Sequence, residues 1–132
     1  MFGLSINRFD ADPQAVTDIL ELQPTSVARK GEIRAESGKP YRVNTWRLEA
    51  HPEQLFGGVE HEAGLAAMID QIRGRESRFA RLRQEVRPEL ISLYGGLYAR
   101  HDQQCGIWLD PDHMRVLASC QIGWGLDIFT ED

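Results

Sequence analysis

The chain has 132 residues, 42% of them hydrophobic and 27% charged, which is typical of one ordinary globular domain. The formal net charge of −5 argues against a general nucleic-acid-binding protein, because such proteins are usually basic overall. No window holds the roughly 20 apolar residues that a membrane span needs, and the first ten residues lack the basic and apolar regions of a signal peptide.

The first half of the chain predicts a strand, a helix and a hairpin. Asp12 followed by Pro13 is typical of a helix N-terminus, since the aspartate caps free N–H groups and proline suits the first turn. The helix is expected to close before Pro24. Alternating apolar residues predict three strands, over residues 2–8, 26–33 and 42–50, the last two joined by a polar loop.

Apolar residues between positions 65 and 86 follow the helical period. Four of them are seven residues apart and would suit one long helix. Gly74 weakens helix formation by about 1 kcal/mol relative to alanine. We therefore predict two helices that break at residues 74–77. Pro88 ends the second helix.

The last third of the chain predicts three strands and one helix. Asp110 followed by Pro111 repeats the earlier helix start, and this helix is expected to end near Cys120. Residues 123–125 are predicted to form a turn. The strands are predicted over residues 89–100, 106–109 and 126–129.

The predicted order β-α-β-β-α-β-β-α-β indicates one α+β domain over residues 1–132. Its first six elements match the order of ferredoxin-like folds, which cover one face of a mainly antiparallel sheet with helices. The final β-α-β unit would extend that sheet. The order of the strands after the sixth element stays open.

Several short motifs resemble one family, and together they cover nearly the whole chain. They are Asp12-Pro13, Leu22-Gln23-Pro24-Thr25, Lys30-Gly31-Glu32, Trp46 and the tail from Gly106 to Phe129. This combination is similar to the bacterial domain of unknown function family 4279. The resemblance implies a small bacterial α+β domain and brings no catalytic residues with it. It also raises the hypothesis of an immunity-like role in bacterial conflict systems.

The chain shows no recognisable metal or nucleophile motif, and we expect no metal site and no cofactor. His101, Asp102 and Cys105 are close in sequence, but a polar turn explains them equally well. Two cysteines without a secretory signal indicate free thiols and a cytoplasmic protein. Cys120, among apolar residues at a helix end, is expected in the core.

Two sets of polar residues suggest alternative functions. The first is a small enzyme with an unfamiliar site; its residues would be Lys30, Glu32, Arg47, His101 and Asp102. Lys30-Gly31-Glu32 is predicted to be a bulge or a close backbone approach in a strand, or a set of charges that protects a sheet edge. The second is an anion or nucleic-acid site; its residues would be Arg73, Arg75, Arg78, Arg81, Arg83 and Arg87. A solvated helix face also explains these six arginines.

The strand over residues 89–100 is the main candidate for function. Its alternation places Ile91 and Leu93 on one face and Tyr94 and Tyr98 on the other. Arg100 shares the tyrosine face, and Trp108 and Phe129 join it if their strands are neighbours. Two alternatives stay open: the chain's own loops or its broken long helix cover this face, or a bulge at Gly95-Gly96 turns the tyrosines inward.

These observations favour a non-enzymatic interaction module that uses an aromatic sheet face, with a protein or a second copy of the chain as its partner. Neither a membrane nor a nucleic acid is expected as its partner. The predicted binding residues are Tyr94, Tyr98, Arg100, Trp108, Lys30 and Glu32.

Overall fold

Five strands and four helices make up the part of the chain that the computed structural model describes, residues 1–50, 61–99 and 106–130. The architecture is α+β, as predicted. The strands are β1 (Phe2–Phe9), β2 (Ser26–Ala28), β3 (Asn44–Ala50), β4 (Leu90–Ala99) and β5 (Gly123–Thr130). The helices are α1 (Pro13–Leu20), α2 (His61–Ile72), α3 (Glu76–Glu85) and α4 (Pro111–Ser119).

The strands form one sheet in the order β2-β3-β1-β4-β5. Three of the four pairings are antiparallel, and β4 with β5 is parallel. The central strand β1 places Leu4 opposite Leu48 on one side and opposite Leu93 on the other. This register puts the alternate apolar residues of the three central strands on the same face.

That face carries the core. Phe2, Leu4 and Ile6 of β1 and Trp46 of β3 are fully buried. The buried apolar residues of the helices belong to the same cluster: Val16, Ile19, Leu20, Leu65, Met68, Ile69, Ile72, Phe79, Leu82, Val116 and Leu117. Each fully buried side chain of this size contributes roughly 1.5–3 kcal/mol, so burial on this face dominates the stability of the fold. The Trp46 indole N–H donates to Thr17 Oγ1 at 3.0 Å and fixes α1 on the sheet.

The two helix starts predicted at Asp-Pro pairs and the predicted helix break are confirmed. The Asp12 carboxylate accepts from the Gln14 N–H at 2.8 Å, and the Asp110 carboxylate accepts from the His113 N–H at 2.9 Å. Each cap is followed by a proline at the start of the helix. Between α2 and α3, Gly74 has φ +79°, which a side chain would strain.

The predicted hairpin exists, but its strands are shorter than expected. β2 ends at Ala28 and β3 begins at Asn44, so Lys30-Gly31-Glu32 lies in a turn and not in a strand. Gly31 has φ +91° and open space where a Cβ would lie, so the predicted bulge or close approach is wrong. Beyond the turn, the Tyr41 N–H donates to the Glu32 carbonyl at 2.8 Å.

Two further predictions about the C-terminal third are wrong. Residues 106–110 form no strand, and residues 123–125 do not turn but begin β5. Gly123, Trp124 and Gly125 pair with β4 because this brings the Trp124 ring onto Phe2, with centroids 6.2 Å apart.

The alternative of a bulge at Gly95-Gly96 is also wrong, because the register of β4 is continuous against both neighbours. The bulge lies instead in β1, between Asn7 and Phe9. The start of the second predicted helix near Val59 lies outside the described residues.

Candidate binding face

The face of the sheet opposite the helices carries the candidate site, and we call it the open face. Ile91, Leu93 and Leu97 are buried beneath the helices, whereas Tyr94 and Tyr98 have the opposite parity. The predicted orientation of β4 is therefore confirmed. By register, the open face also includes Gly3, Ser5, Asn7, Ser26, Ala28, Thr45, Arg47, Glu49, Leu90, Ser92, Gly96, Gly123, Gly125, Asp127 and Phe129.

Tyr94 occupies the middle of the open face and already has protein partners. A Cβ built on Gly3 would lie 2.6 Å from the Tyr94 ring, so the ring covers this glycine. The Tyr94 hydroxyl donates to Glu49 Oε1 at 2.8 Å. Burial, and then the hydrogen bond to the Glu49 carboxylate, raise the pKa of Tyr94 above its usual range. Tyr94 therefore separates two parts of the open face.

The first part is an aromatic pair formed by Tyr98 and Phe129, neighbours in the parallel β4–β5 ladder. Their ring centroids are 5.2 Å apart at an interplanar angle of 23°. Tyr98 is 71% exposed and Phe129 is 49% exposed. Such stacking is worth about 0.5–1.5 kcal/mol beyond burial, but it leaves most of Tyr98 and about half of Phe129 in contact with water.

The second part is a basic groove of about 890 Å³ at the other end of the open face. Its floor includes Asn7, Thr45 and Arg47, from β1 and β3. The turn at residues 34–37 and Tyr41 form one wall, and Arg8, Glu89 and Leu90 lie at the opposite side. The alternating polar residues of β1 and β3 were a signal for this surface. Its wall depends on how the hairpin loop folds back, which no sequence pattern shows.

The model of a family described as a domain of unknown function, DUF4279, matches residues 2–131. The chain belongs to the DUF4279 family. Searches of curated proteins and of solved structures found no match. The ferredoxin-like assignment of the first six elements stays a prediction for this DUF4279 domain.

Of the residues predicted for an enzyme site, the structure describes Lys30, Glu32 and Arg47, and it does not bring these three together. Arg47 lies on the floor of the basic groove. Lys30 lines a separate cavity of about 390 Å³ beside the start of α1, together with Asp10, Asp12 and Arg29. Glu32 lines neither cavity. His101 and Asp102 lie outside the described residues of this DUF4279 domain.

One other predicted binding residue, Trp108, also changes its setting. Trp108 is 70% exposed, but it lies in the irregular segment before α4 and so does not belong to the sheet. Phe129 joins the tyrosine face as expected. Arg100 lies outside the described residues.

The six arginines between positions 73 and 87 all contact protein groups. Four of them donate to backbone carbonyls near helix C-termini: Arg75 to Leu20 and Gln71, Arg78 to Ile19, Arg83 to Cys120, and Arg87 to Gln84. The other two contact carboxylates, Arg73 those of Asp70 and Asp112, and Arg81 that of Glu85. Cations stabilise helix C-termini, so these contacts favour a structural role over an anion-binding surface.

Metal-binding clusters and membrane-spanning helices are both absent from the residues that the structure describes. Within them, no group of three or more His, Cys, Asp or Glu side chains is arranged to hold a metal ion. None of the helices described combines the length and the apolar character that crossing a membrane requires.

Proposed function

We propose that this DUF4279 domain is a protein-binding module that pairs with a second copy of itself through β5 and the aromatic pair. The observation that carries the proposal is the exposed Tyr98–Phe129 stack beside an edge strand. Exposed aromatic surface on the edge strand of a sheet is a favourable place for association. Tyr94 is left out of the contact, because it already covers Gly3 and bonds to Glu49.

The edge strand β5 is well suited to accept another strand. It is eight residues long, and the strand at the other edge, β2, has only three. Natural edge strands are usually blocked by prolines, bulges or charges. β5 has no proline and no interruption of its register, and its charge on the open face is Asp127.

Pairing two copies of β5 antiparallel around a two-fold axis would join the two sheets into one. A register centred on Leu126 places Phe129 opposite the partner's Gly123, and Asp127 opposite the partner's Gly125. A register centred on Asp127 would set two carboxylates against each other, which is unfavourable. The favoured register repeats a device already present in the domain, where Tyr94 covers Gly3 and Phe2 covers Gly95.

The aromatic pair is tested by replacing both rings, Tyr98→Ala with Phe129→Ala, and measuring mass by sedimentation velocity over a concentration series. The native chain is expected to shift from 15.0 kDa towards twice that mass, and the double variant to remain monomeric. Met114→Ala, which truncates an exposed apolar residue of α4, is the matched control. A native chain that stays monomeric throughout, or a double variant that dimerises normally, would contradict the proposal.

The register is tested with two charges at one position. A Cβ at Gly125 meets no atom within 4 Å, so either side chain fits the monomer. Gly125→Glu would face the partner's Asp127 twice by symmetry and weaken association about 2- to 30-fold, whereas Gly125→Lys would preserve or strengthen it. Gly106→Glu places the same charge at an open glycine outside the sheet. Equal weakening by both charges at position 125 would exclude this register.

The compartment proposed for this module is the cytoplasm. Cys120 is a free and fully buried thiol, as expected where cysteines stay reduced. Expression of a reporter fusion followed by cell fractionation tests this, and recovery from the periplasm or the medium would contradict it.

A further inference from the structure

The basic groove has the dimensions of a ligand site. Its volume of about 890 Å³ falls within the roughly 300–1,000 Å³ that small-molecule sites occupy. Four strands and a turn contribute to it, so regular backbone forms much of its floor. Side chains on the floor and walls therefore have defined positions at which a ligand would meet them.

The charge of the groove is opposite to that of the chain. Within the described residues, its lining has three arginines and two glutamates, although the chain has a net charge of −5. Glu89 is paired with Arg8 at 3.5 Å, and Glu36 lies on the exposed turn. The Arg34 guanidinium lies over the Tyr41 ring, 5.0 Å from its centroid. Neither Arg34 nor Arg47 forms an ion pair with a described carboxylate, so both guanidinium groups are available to an anion.

Arg8 is placed at the groove by a strained backbone. It has φ +61°, a left-handed conformation that costs a residue with a side chain about 1–2 kcal/mol. Arg8 is the extra residue of the β1 bulge, which returns Phe9 to the core and leaves Arg8 on the groove side. The Glu89 N–H stabilises this bulge because it donates to the carbonyls of both Asn7 and Arg8, each at 3.1 Å. Strain of this kind collects at binding sites.

The groove also exposes apolar surface. Leu90, on the open face at the start of β4, is 51% exposed, and Val43 is 38% exposed. Both side chains line the same cavity as the arginines. An occupant that satisfies both features carries an anionic group at one end and hydrocarbon at the other.

We propose that the basic groove binds a small organic carboxylate, with its carboxylate on Arg47 and Arg34 and its hydrocarbon on Leu90 and Val43. The planar guanidinium matches a carboxylate through two parallel N–H donors, which favours this anion at Arg47. The groove lies apart from the Tyr98–Phe129 pair, on the other side of Tyr94. Binding here does not depend on self-association.

The probe is hexanoate, titrated into the ¹⁵N-labelled chain and followed by amide chemical shifts, with hexan-1-ol as the uncharged match. Hexanoate is expected to give saturable shifts at the amides of Thr45 and Arg47, and hexan-1-ol to bind at least fivefold more weakly. Arg47→Gln is expected to lower the affinity for hexanoate at least fivefold, which is the size expected for loss of one charge-assisted contact. Arg81→Gln, an exposed arginine on α3, is the matched control and should leave the titration unchanged.

The hydrocarbon end is tested with Leu90→Ser, a change at a half-exposed position. This variant is expected to bind hexanoate more weakly than the native chain does, and to bind acetate with unchanged affinity. The variant with Tyr98→Ala and Phe129→Ala should bind hexanoate normally, which separates this proposal from self-association. The proposal is overturned if hexanoate shows no saturable shifts, if hexan-1-ol binds equally well, or if Arg47→Gln has no effect. Inorganic phosphate binding as tightly as hexanoate would also overturn it, because that result needs no apolar contact.

Discussion

The ring of Tyr94 covers Gly3 across the β1–β4 pair, so closely that a Cβ at position 3 would lie 2.6 Å from the ring's Cζ. The next pair along the same ladder repeats this arrangement on the other face. Phe2 covers Gly95, where a Cβ would lie 2.5 Å from the Phe2 ring. Each aromatic side chain thus fills the space of a missing side chain on the neighbouring strand, and the pairing fixes the register of β1 against β4.

Gly3→Ala is therefore expected to destabilise the fold by about 1–3 kcal/mol, the usual cost of overpacking. The free energy of unfolding is measured by urea denaturation. Gly106→Ala is the control, because a Cβ there meets no atom within 4 Å, and it should change stability by less than about 0.5 kcal/mol. Adding Tyr94→Ala to Gly3→Ala should cost less than the sum of the two single changes. Additive costs would show that the ring and the glycine do not compete for space.

The Tyr94 hydroxyl makes stability depend on alkaline pH. Its pKa is raised in the folded state by burial and by Glu49, whereas a tyrosine in an unfolded chain has a pKa of about 10. The resulting stabilisation is fully present below about pH 10 and is lost as the pH rises above it. Tyr94→Phe should make the decline in stability above about pH 10 shallower than that of the native chain, in urea denaturation at several pH values. Parallel pH curves for the two proteins would contradict this.

Local patterns predicted the parts of the fold that local chemistry decides. Asp12 and Asp110 start helices because a cap and a following proline act within one turn. The alternation around Leu93 and Tyr94 placed β4 correctly, because one buried face is enough to orient a strand.

Distant contacts decided the rest. Gly123-Trp124-Gly125 resembles a turn, but it extends β5 because the Trp124 ring stacks on Phe2, far away in sequence. Nothing in the sequence reveals that the Tyr94 ring, a predicted binding residue, also covers Gly3 of β1. The basic groove was missed because its wall, near Arg34, is formed by a loop whose path depends on Tyr41 and Glu32.

The Cys120 thiol is expected to be inert while the domain is folded. Burial, with a smaller contribution from Glu76, raises the pKa of this thiol to about 11, against about 8.5 in an unfolded chain. At pH 8 its thiolate fraction falls roughly 100-fold or more on folding, and alkylation slows by at least that factor. Iodoacetamide labelling with and without urea, in a Cys105→Ser background, measures the ratio. Equal rates in both conditions would place the thiol outside the core.

Arg83 is expected to contribute more stability than Arg81, although both belong to α3. Arg83 donates to the Cys120 carbonyl at the C-terminus of α4, where a cation also interacts favourably with the helix dipole. Arg83→Gln should therefore cost about 1–2 kcal/mol, or roughly 3–6 °C in Tm. Arg81 pairs with Glu85 four residues along an exposed surface, and Arg81→Gln should cost only about 0.3–0.5 kcal/mol. Thermal unfolding of the two variants measures the difference. Equal losses would mean that the Arg83 contact does not bind α4 to α3.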